Sequence, residues 1–471
     1  MSRIFSVVAL AALALGAPLA TAKNAHPLVI EHVNVLPMTP GGIPLDDATV
    51  IISGGRIAAI TAGAGANKPG GARRIDGRGK WLLPGFSDMH VHIGNDRMLR
   101  LYLGDPKLAD GTAETQDYLT PFIANGVTQV FNLSAMSESV GQRSDVESGR
   151  VLGPHIANAA MIDGSPPSWP VGMTYSAATP EDGRQAVRDA QASGYEFIKV
   201  YSKLSLETFT AIVDEARQLK MRVVGHIPQR EKGITAKFFL PGFDLVAHAE
   251  EFAQHTSPPD LTAIPAYVEM SKRNGTWLTA TLTLDERIVE VVAHPESLAA
   301  RDDLRYLPPV QYRLVVEHNP YVERHDPGLA DYVRRVVTFN AELVRAFDAA
   351  GIPVLTGTDS PVPGVAPGFS LHDEFEALSR AGVSNRRILE ATTRLPAEWL
   401  GTSGDRGTVE TGKRADLVLL DANPLVDITN TRRIAAVIVN GRYLPRAELD
   451  DMMAALAARN PPKQSLSATA P

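Results

Sequence analysis

The stretch GFSDMHVHIGND, residues 85–96, sets His90 and His92 two positions apart, directly behind the apolar run WLLPGF (81–86). In an extended strand successive side chains point to opposite faces, so the two imidazoles share one face. An apolar strand that ends in two same-facing imidazoles suits a parallel barrel, where chemistry gathers at the C-terminal ends of the strands. Taken alone, the His-x-His pair is a weak signal, because two polar strand-end residues satisfied by hydrogen bonds explain it about as well. Asp88 lies in phase with both histidines, as an outer partner to them or as a polar neighbour only.

The flanking chain repeats the same rhythm. Short apolar runs (VTQVFNL, HIANAAM, FIKVY, MRVVGH, DLVAHA, TWLTATL and IPVLTGT) alternate with helical stretches such as PEDGRQAVRDAQASG and LETFTAIVDEARQLK. Eight strands with helices between them predict an α/β fold, a (β/α)8 TIM barrel, over residues 81–400. Residues 285–350, ahead of the last strand, exceed what one connecting helix needs and hold the helically spaced DYVRRVVTFNAELVRAFDAAG. They read as a helical insertion covering the barrel mouth. Residues 23–80 and 401–450 are rich in short strands instead. Ser53-Gly54-Gly55 and Asn440-Gly441 mark hairpins there, and the second pair is a strong hairpin signal. These two pieces predict a small β-sandwich domain built from both chain ends.

Residues 1–22 run from MSR through the apolar IFSVVALAALALGAPL to Ala20-Thr21-Ala22. This is the pattern of a secretory signal peptide cleaved near Ala22, which predicts a secreted or periplasmic protein. Gly16, Pro18 and the short run argue against a membrane anchor. No later segment is a continuous apolar span, so no membrane partner is expected once the leader is gone. The tail NPPKQSLSATAP (460–471) has the composition of a disordered segment. The chain has no cysteine, so neither disulfides nor an anchor on an N-terminal cysteine is available, and metal ligands are confined to His, Asp, Glu or a modified Lys. The formal charge of −7 becomes −8 when Arg3 leaves with the leader. A mildly acidic chain without basic blocks excludes nucleic acid as an expected partner, while assembly with copies of itself stays open.

Further strand ends add to the histidine pair. Lys199 sits inside FIKVY in phase with Phe197 and Tyr201, and a lysine buried there without a partner would be costly. Either it snorkels to the strand end, or carbon dioxide has carboxylated it into an anionic ligand able to bridge two metals. His226 closes MRVVGH, His248 closes DLVAH, and Asp359 closes IPVLTGTD as a hard oxygen ligand and potential base. Each has a bland explanation singly. Six ligand-capable groups ending five strands on one rim point to a metal site.

This constellation resembles the amidohydrolase superfamily, in its binuclear branch with a carboxylated lysine. GTVETGKRADLVLLDANPL (407–425) resembles that superfamily's return into its sandwich, and the peptidase-like, imidazolonepropionase-related members look nearest. The resemblance implies two divalent metal ions, zinc by expectation. It implies His90, His92, carboxylated Lys199 and Asp359 on one, and Lys199, His226 and His248 on the other. It further implies hydrolysis of a carbon–nitrogen bond in a small amide, a dipeptide or N-acyl amino acid. A metal-bridging hydroxide would attack, with Asp359 carrying the proton to the leaving amine. Hydrolysis of a cyclic amide, imidazolone, lactone or phosphotriester could use the same cage. Deamination is disfavoured, because related deaminases place a glutamate shortly after the strand-five histidine, where this chain has Gln229 and, out of register, Glu231. The non-enzyme readings are a barrel scaffold that lost its chemistry and a metal-binding or sensor protein. Both sit poorly with a complete ligand set and a proton shuttle. For the substrate, Tyr201 is a candidate contact and Ser360 a candidate to orient Asp359. His255 lies on the loop after strand six, and Arg230, Arg287 and Arg313 are equal candidates for a carboxylate anchor.

Overall fold

The computed structural model describes residues 26–459, apart from 64–68, 95–96, 98–99, 102–103, 105–112, 171, 324–326 and 363. The expected leader (1–22) and tail (460–471) lie outside the described residues. Strands β1 (Leu28–Val35), β2 (Leu45–Ser53), β3 (Arg56–Ala62), β4 (Arg73–Asp76) and β5 (Trp81–Pro84) open the chain. Residues far downstream, β15 (Leu417–Leu420), β16 (Ile434–Val439) and β17 (Arg442–Pro445), complete their sheet. Its order is β17-β16-β15-β5-β1-β2-β3, with β4 added to β1. The expected sandwich takes the form of this one branched sheet. One face forms a core of its own from Ile30, Val35, Ile52, Leu82, Leu417 and Ile438. The other turns Leu83, Val418, Leu420, Val437 and Val439 onto the barrel.

The barrel strands are β6 (Phe86–Val91), β7 (Val127–Asn132), β8 (His155–Asp163), β10 (Phe197–Val200), β11 (Arg222–Gly225), β12 (Phe243–Ala247), β13 (Trp277–Thr279) and β14 (Val354–Leu355), with the short β9 (Tyr175–Ser176) appended to β8. All neighbours along this path pair in parallel. Closure comes from the segment after β14, which runs beside β6. Met89 N donates to Thr356 O at 2.9 Å, Asp359 N to His90 O at 2.8 Å and His92 N to Ser360 O at 2.7 Å.

The structure corrects the boundary drawn at WLLPGF. That run is two strands, for Trp81–Pro84 pairs in the end sheet while Phe86 begins the barrel. Gly85 makes the change of sheet, and a Cβ there would fall 2.2 Å from Thr128 Oγ1. The inserted residues between β13 and β14 include helices Leu282–Ala293 and Pro327–Ala349. A helix over Arg446–Arg459, not expected from the sequence, packs on helix Thr115–Ala124. No helix of the described residues is long and apolar enough to cross a membrane.

Barrel and end sheet are joined by a buried contact between a histidine and an aspartate. His155 Nε2, at the start of β8, lies 3.0 Å from Asp416 Oδ2, just ahead of β15. Burial pulls the Asp416 carboxyl upward, but His155 and Arg406 overcome this and hold it down at about 2. A carboxyl lowered from 3.8 to about 2 contributes about 2 kcal/mol of stability at neutral pH. That contribution is complete above pH 4 and disappears as the pH falls toward 2, because the unfolded chain then binds the proton first. We expect Asp416→Asn to unfold at a lower temperature than the native chain at pH 7. The gap should close as both are titrated to the acid limit, which melting curves followed by circular dichroism will read.

Candidate active site

The structure brings the six strand-end residues to one end of the barrel. His90 lies in β6 with His92 just beyond it, and Lys199 is the third residue of β10. His226 directly follows β11, His248 directly follows β12, and Asp359 stands four residues past β14. Below Lys199 the interior is sealed by Phe131, Phe197 and Trp399, whose stacked pair Phe197–Trp399 has ring centroids 5.4 Å apart. With aromatic rings underneath, Lys199 is 2 % exposed.

Alternation alone would not deliver His248. Leu245 and Ala247 face the barrel interior and Val246 packs outward, so the next residue in an undisturbed strand would face outward too. A left-handed backbone at His248, φ 78°, turns it inward, and Asp359 (φ 61°) and Thr281 (φ 50°) adopt the same unfavourable region. Each such residue costs on the order of 1–2 kcal/mol, a strain that surrounding structure must hold in place.

The donors converge closely. One ligand atom from each of His90, His248 and Asp359 lies within 4.8 Å of the others. Asp359 Oδ1 is 2.7 Å from His92 Nε2 and 3.1 Å from His90 Nε2. Lys199 Nζ is 3.3 Å from His90 Nε2, and the His226 and His248 rings meet edge to face at 5.2 Å. The tight trio draws on both of the ligand sets that the resemblance implies, since His248 stands with His90 and Asp359. All six residues nevertheless form one cluster.

Hydroxyl groups orient three of the rings from behind. His92 Nδ1 meets Ser134 Oγ at 2.6 Å, His226 Nδ1 meets Ser202 Oγ at 2.9 Å, and His248 Nδ1 meets Thr281 Oγ1 at 3.0 Å. Glu251 Oε1 also approaches His226 Nδ1 at 2.9 Å, while its other oxygen accepts from Ile227 N. Fixing one ring nitrogen aims the other into the cluster, as rings that ligate a metal are held. The sequence reading missed Ser134, Ser202, Thr281 and Glu251. A signal was present: each of the three hydroxyls stands two residues past the end of a barrel strand.

Burial sets the protonation states. It drives His90 down to about 3, helped by the nearby Lys199 charge, and it lowers His92 and His248 as well. Neutral imidazole is the metal-binding form. Burial also lowers Lys199 to about 8. It would raise Asp359, but the imidazoles of His90, His92 and His248 outweigh it and keep that carboxyl well below the usual range. His226 Nε2 and His90 Nδ1 are buried without a hydrogen-bond partner. A cation would relieve the orphaned His226 nitrogen, and the donor set of imidazole and carboxylate suits a divalent ion of the zinc type.

The remaining candidates divide. Tyr201 lines a cavity of about 210 Å3 that opens above the cluster, where it stacks on His226 at 4.0 Å and bonds to Trp169. Burial pushes its hydroxyl pKa up, so it stays protonated as a donor. Asp88 touches no imidazole nitrogen. It accepts from Thr358 N at 3.0 Å and Thr358 Oγ1 at 2.7 Å, which fixes the loop carrying Asp359. Ser360 Oγ is buried without a partner and does not hold Asp359. His255 is spent on Thr235 Oγ1 and Ile227 O, away from the cavity. None of Arg230, Arg287 and Arg313 lines the cavity. From the residues between β13 and β14, Leu284 and, within the insertion, Leu314, Pro320 and Tyr321 form part of its wall.

Comparison with known proteins agrees with this architecture. A putative prolidase from Bifidobacterium longum superposes with a TM-score of 0.66 at 22% identity, over 92% of this chain and 99% of that one. Bottromycin amidohydrolase gives 0.69 at 21% identity, over 95% and 94%. Among curated sequences, a 5-methylthioadenosine/S-adenosylhomocysteine deaminase from Bacillus cereus is 23% identical over 466 residues, 88% of this chain and 92% of the relative. Of the other curated relatives, a dihydroorotase from Anaeromyxobacter dehalogenans is 25% identical over 407 residues, 79% of this chain and 84% of the relative, and four match over short segments, the chain spanning 12–20% of their length. The model of the Amidohydrolase family matches residues 81–444, from the start of β5 into β17, and the chain belongs to that family.

Proposed function

We propose that this chain is a metal-dependent hydrolase of carbon–nitrogen bonds in small amides, with dipeptides and N-acyl amino acids as the first classes to test. The observation that supports it most is the convergence of His90, His248 and Asp359 within 4.8 Å, at the floor of a cavity of about 210 Å3. His90, His92, Lys199, His226, His248 and Asp359 would hold two divalent ions, zinc in the first instance. When bound, such ions supply a polarised carbonyl oxygen and an acidified water.

The chain's own residues account for the remaining steps. Asp359, ionised and 2.7 Å from His92 Nε2, accepts a proton at Oδ1 and returns it to the departing nitrogen, as general base and then acid. Lys199 is a buried amine lowered to about 8, so a useful fraction is neutral near physiological pH and open to attack on carbon dioxide. The carbamate formed would convert a costly buried cation into the anion that two metal ions require. Tyr201 offers its hydroxyl hydrogen to the carbonyl oxygen that gains charge, with Trp169 holding the phenol in place.

Deamination is the second reading, favoured by the curated deaminase that the chain resembles along most of its length. Against it, Gln229 is bonded to Gln254 and the exposed Glu231 accepts from Leu206 N, so neither supplies an acid to the cluster. The leader-like first residues support an exported enzyme, and N-terminal sequencing of material recovered from outside the cytoplasm should begin near Lys23.

Two measurements test the core of the proposal. Metal content of the purified protein, supplied with zinc and bicarbonate, should approach two ions per chain and fall by at least one in Lys199→Ala. A fully loaded and fully active variant would remove the carbamate from the scheme. Asp359→Asn should lower kcat on an amide by about 10²–10⁴, measured by release of the amine and compared with free ammonia. A variant with unchanged kcat would assign the proton transfer to another group.

A further inference from the structure

Protein interiors pack with few voids larger than a water molecule, yet a cavity of about 210 Å3 stands open above the cluster. Its wall outside the six clustered residues is largely apolar, with Met161, Met173, Leu284, Leu314, Pro320 and Val362 among its members. Most of these side chains are held from behind. Met173 and Leu314 belong to the main core. Leu284 belongs to a smaller core shared by helices Leu282–Ala293 and Pro327–Ala349, and Val362 packs against it. Met161 stands on β8 in register with Lys199 on β10. The apolar surface is therefore built into the fold before any substrate arrives.

Three polar side chains of the same wall are already engaged. Ser134 Oγ meets His92 Nδ1 at 2.6 Å, Glu250 is hydrogen-bonded to Asp285, and Trp169 bonds to Tyr201. A polar side group on a substrate would give up its water for a surface where these three have partners of their own. An apolar group of the same shape leaves water favourably and gains contact with the wall. A hydrophobic pocket rejects an isostere that adds only a hydroxyl by about 100-fold, and a carboxamide in place of an isopropyl group adds more polar surface than that. An apolar cavity of ~150 Å3 holds one benzene ring, so about 210 Å3 has room for a leucine- or phenyl-sized group beside the amide.

We infer that the cavity selects amides bearing a leucine- or phenyl-sized apolar side group over polar side groups of the same shape, with Met173 and Leu314 as specificity-determining residues. These two come from different segments, the stretch between β8 and β9 and the insertion, and neither adjoins a residue of the cluster in sequence. The inference rests on the amide-hydrolase reading above and narrows its substrate class to apolar members. Bond cleavage stays with the cluster and Tyr201.

The test uses the metal-loaded protein and near-isosteric leucine and asparagine compounds that probe either side of the bond. The pairs are leucyl-glycine against asparaginyl-glycine, glycyl-leucine against glycyl-asparagine, and N-acetyl-leucine against N-acetyl-asparagine. Calorimetric titration with 4-methylpentanamide and succinamide, which differ by an isopropyl group and a carboxamide, reads binding apart from turnover. The leucine member should lead by at least tenfold in kcat/KM in one or more pairs, and 4-methylpentanamide should bind at least tenfold more tightly than succinamide. In Leu314→Asn and Met173→Gln that lead should shrink at least fivefold, while Leu314→Met and Met173→Leu keep it, with melting curves showing which variants are folded. A lead under tenfold in every pair that the native protein turns over, or a smaller loss in the polar variants that fold, overturns the inference. Turnover of none of the six compounds counts against the amide-hydrolase reading, and the binding ratio of the two amides then decides the inference alone.

Discussion

The seam where residues 356–360 run beside β6 governs the rest of the structure. Its backbone hydrogen bonds, Asp359 N to His90 O and His92 N to Ser360 O, close the barrel. The same bonds place a carboxylate and two imidazoles from residues some 270 positions apart in contact. Asp88 reinforces the seam by accepting from both the amide and the hydroxyl of Thr358. Fold and site are therefore one requirement at this edge. A barrel that failed to close would separate Asp359 from its imidazoles, and the strained backbone at Asp359 persists because the seam holds it on both sides.

Burial is the second constraint, and it works against charge on His90, His92, His248, Lys199 and Asp359. Imidazoles and an amine lose their charge more easily where water is excluded, while the carboxylate keeps its own only because imidazoles surround it. The result sets the neutral imidazoles of His90, His92 and His248 around the ionised Asp359. Such a pocket is a poor resting place for bare protein and a good one for a small cation. The hydroxyls of Ser134, Ser202 and Thr281 complete it by fixing ring orientation from outside the ring of donors.

Much of this was legible in the chain. The His-x-His pair, the lysine in FIKVY and the polar ends of MRVVGH, DLVAH and IPVLTGTD could be placed on one rim, because strand periodicity and barrel geometry leave few alternatives. The limits were physical as well. WLLPGF reads as one strand because nothing in its apolarity marks the change of partner at Gly85. His248 reaches the cluster through a left-handed backbone that the pattern of DLVAH does not display. Serine and threonine two residues past a strand end look like ordinary loop polarity until the rings they face are known. The arginines were equal candidates in sequence, and the structure sets all three outside the cavity lining.

The end sheet carries a consequence for how the chain must assemble. β5 is flanked by β1 on one side and β15 on the other, with Leu83 paired to Val418, so the strand that leads into the barrel gains its second neighbour from the far end of the sequence. Pairings of such long separation are slow to form, because the loop between them must be ordered first. The first barrel strand is thus fastened at its root only after residue 420 has been synthesised. A chain released early would lead into β6, which bears His90, from β5 with one edge still open, and completion of the far terminus serves as the latch for that lead-in.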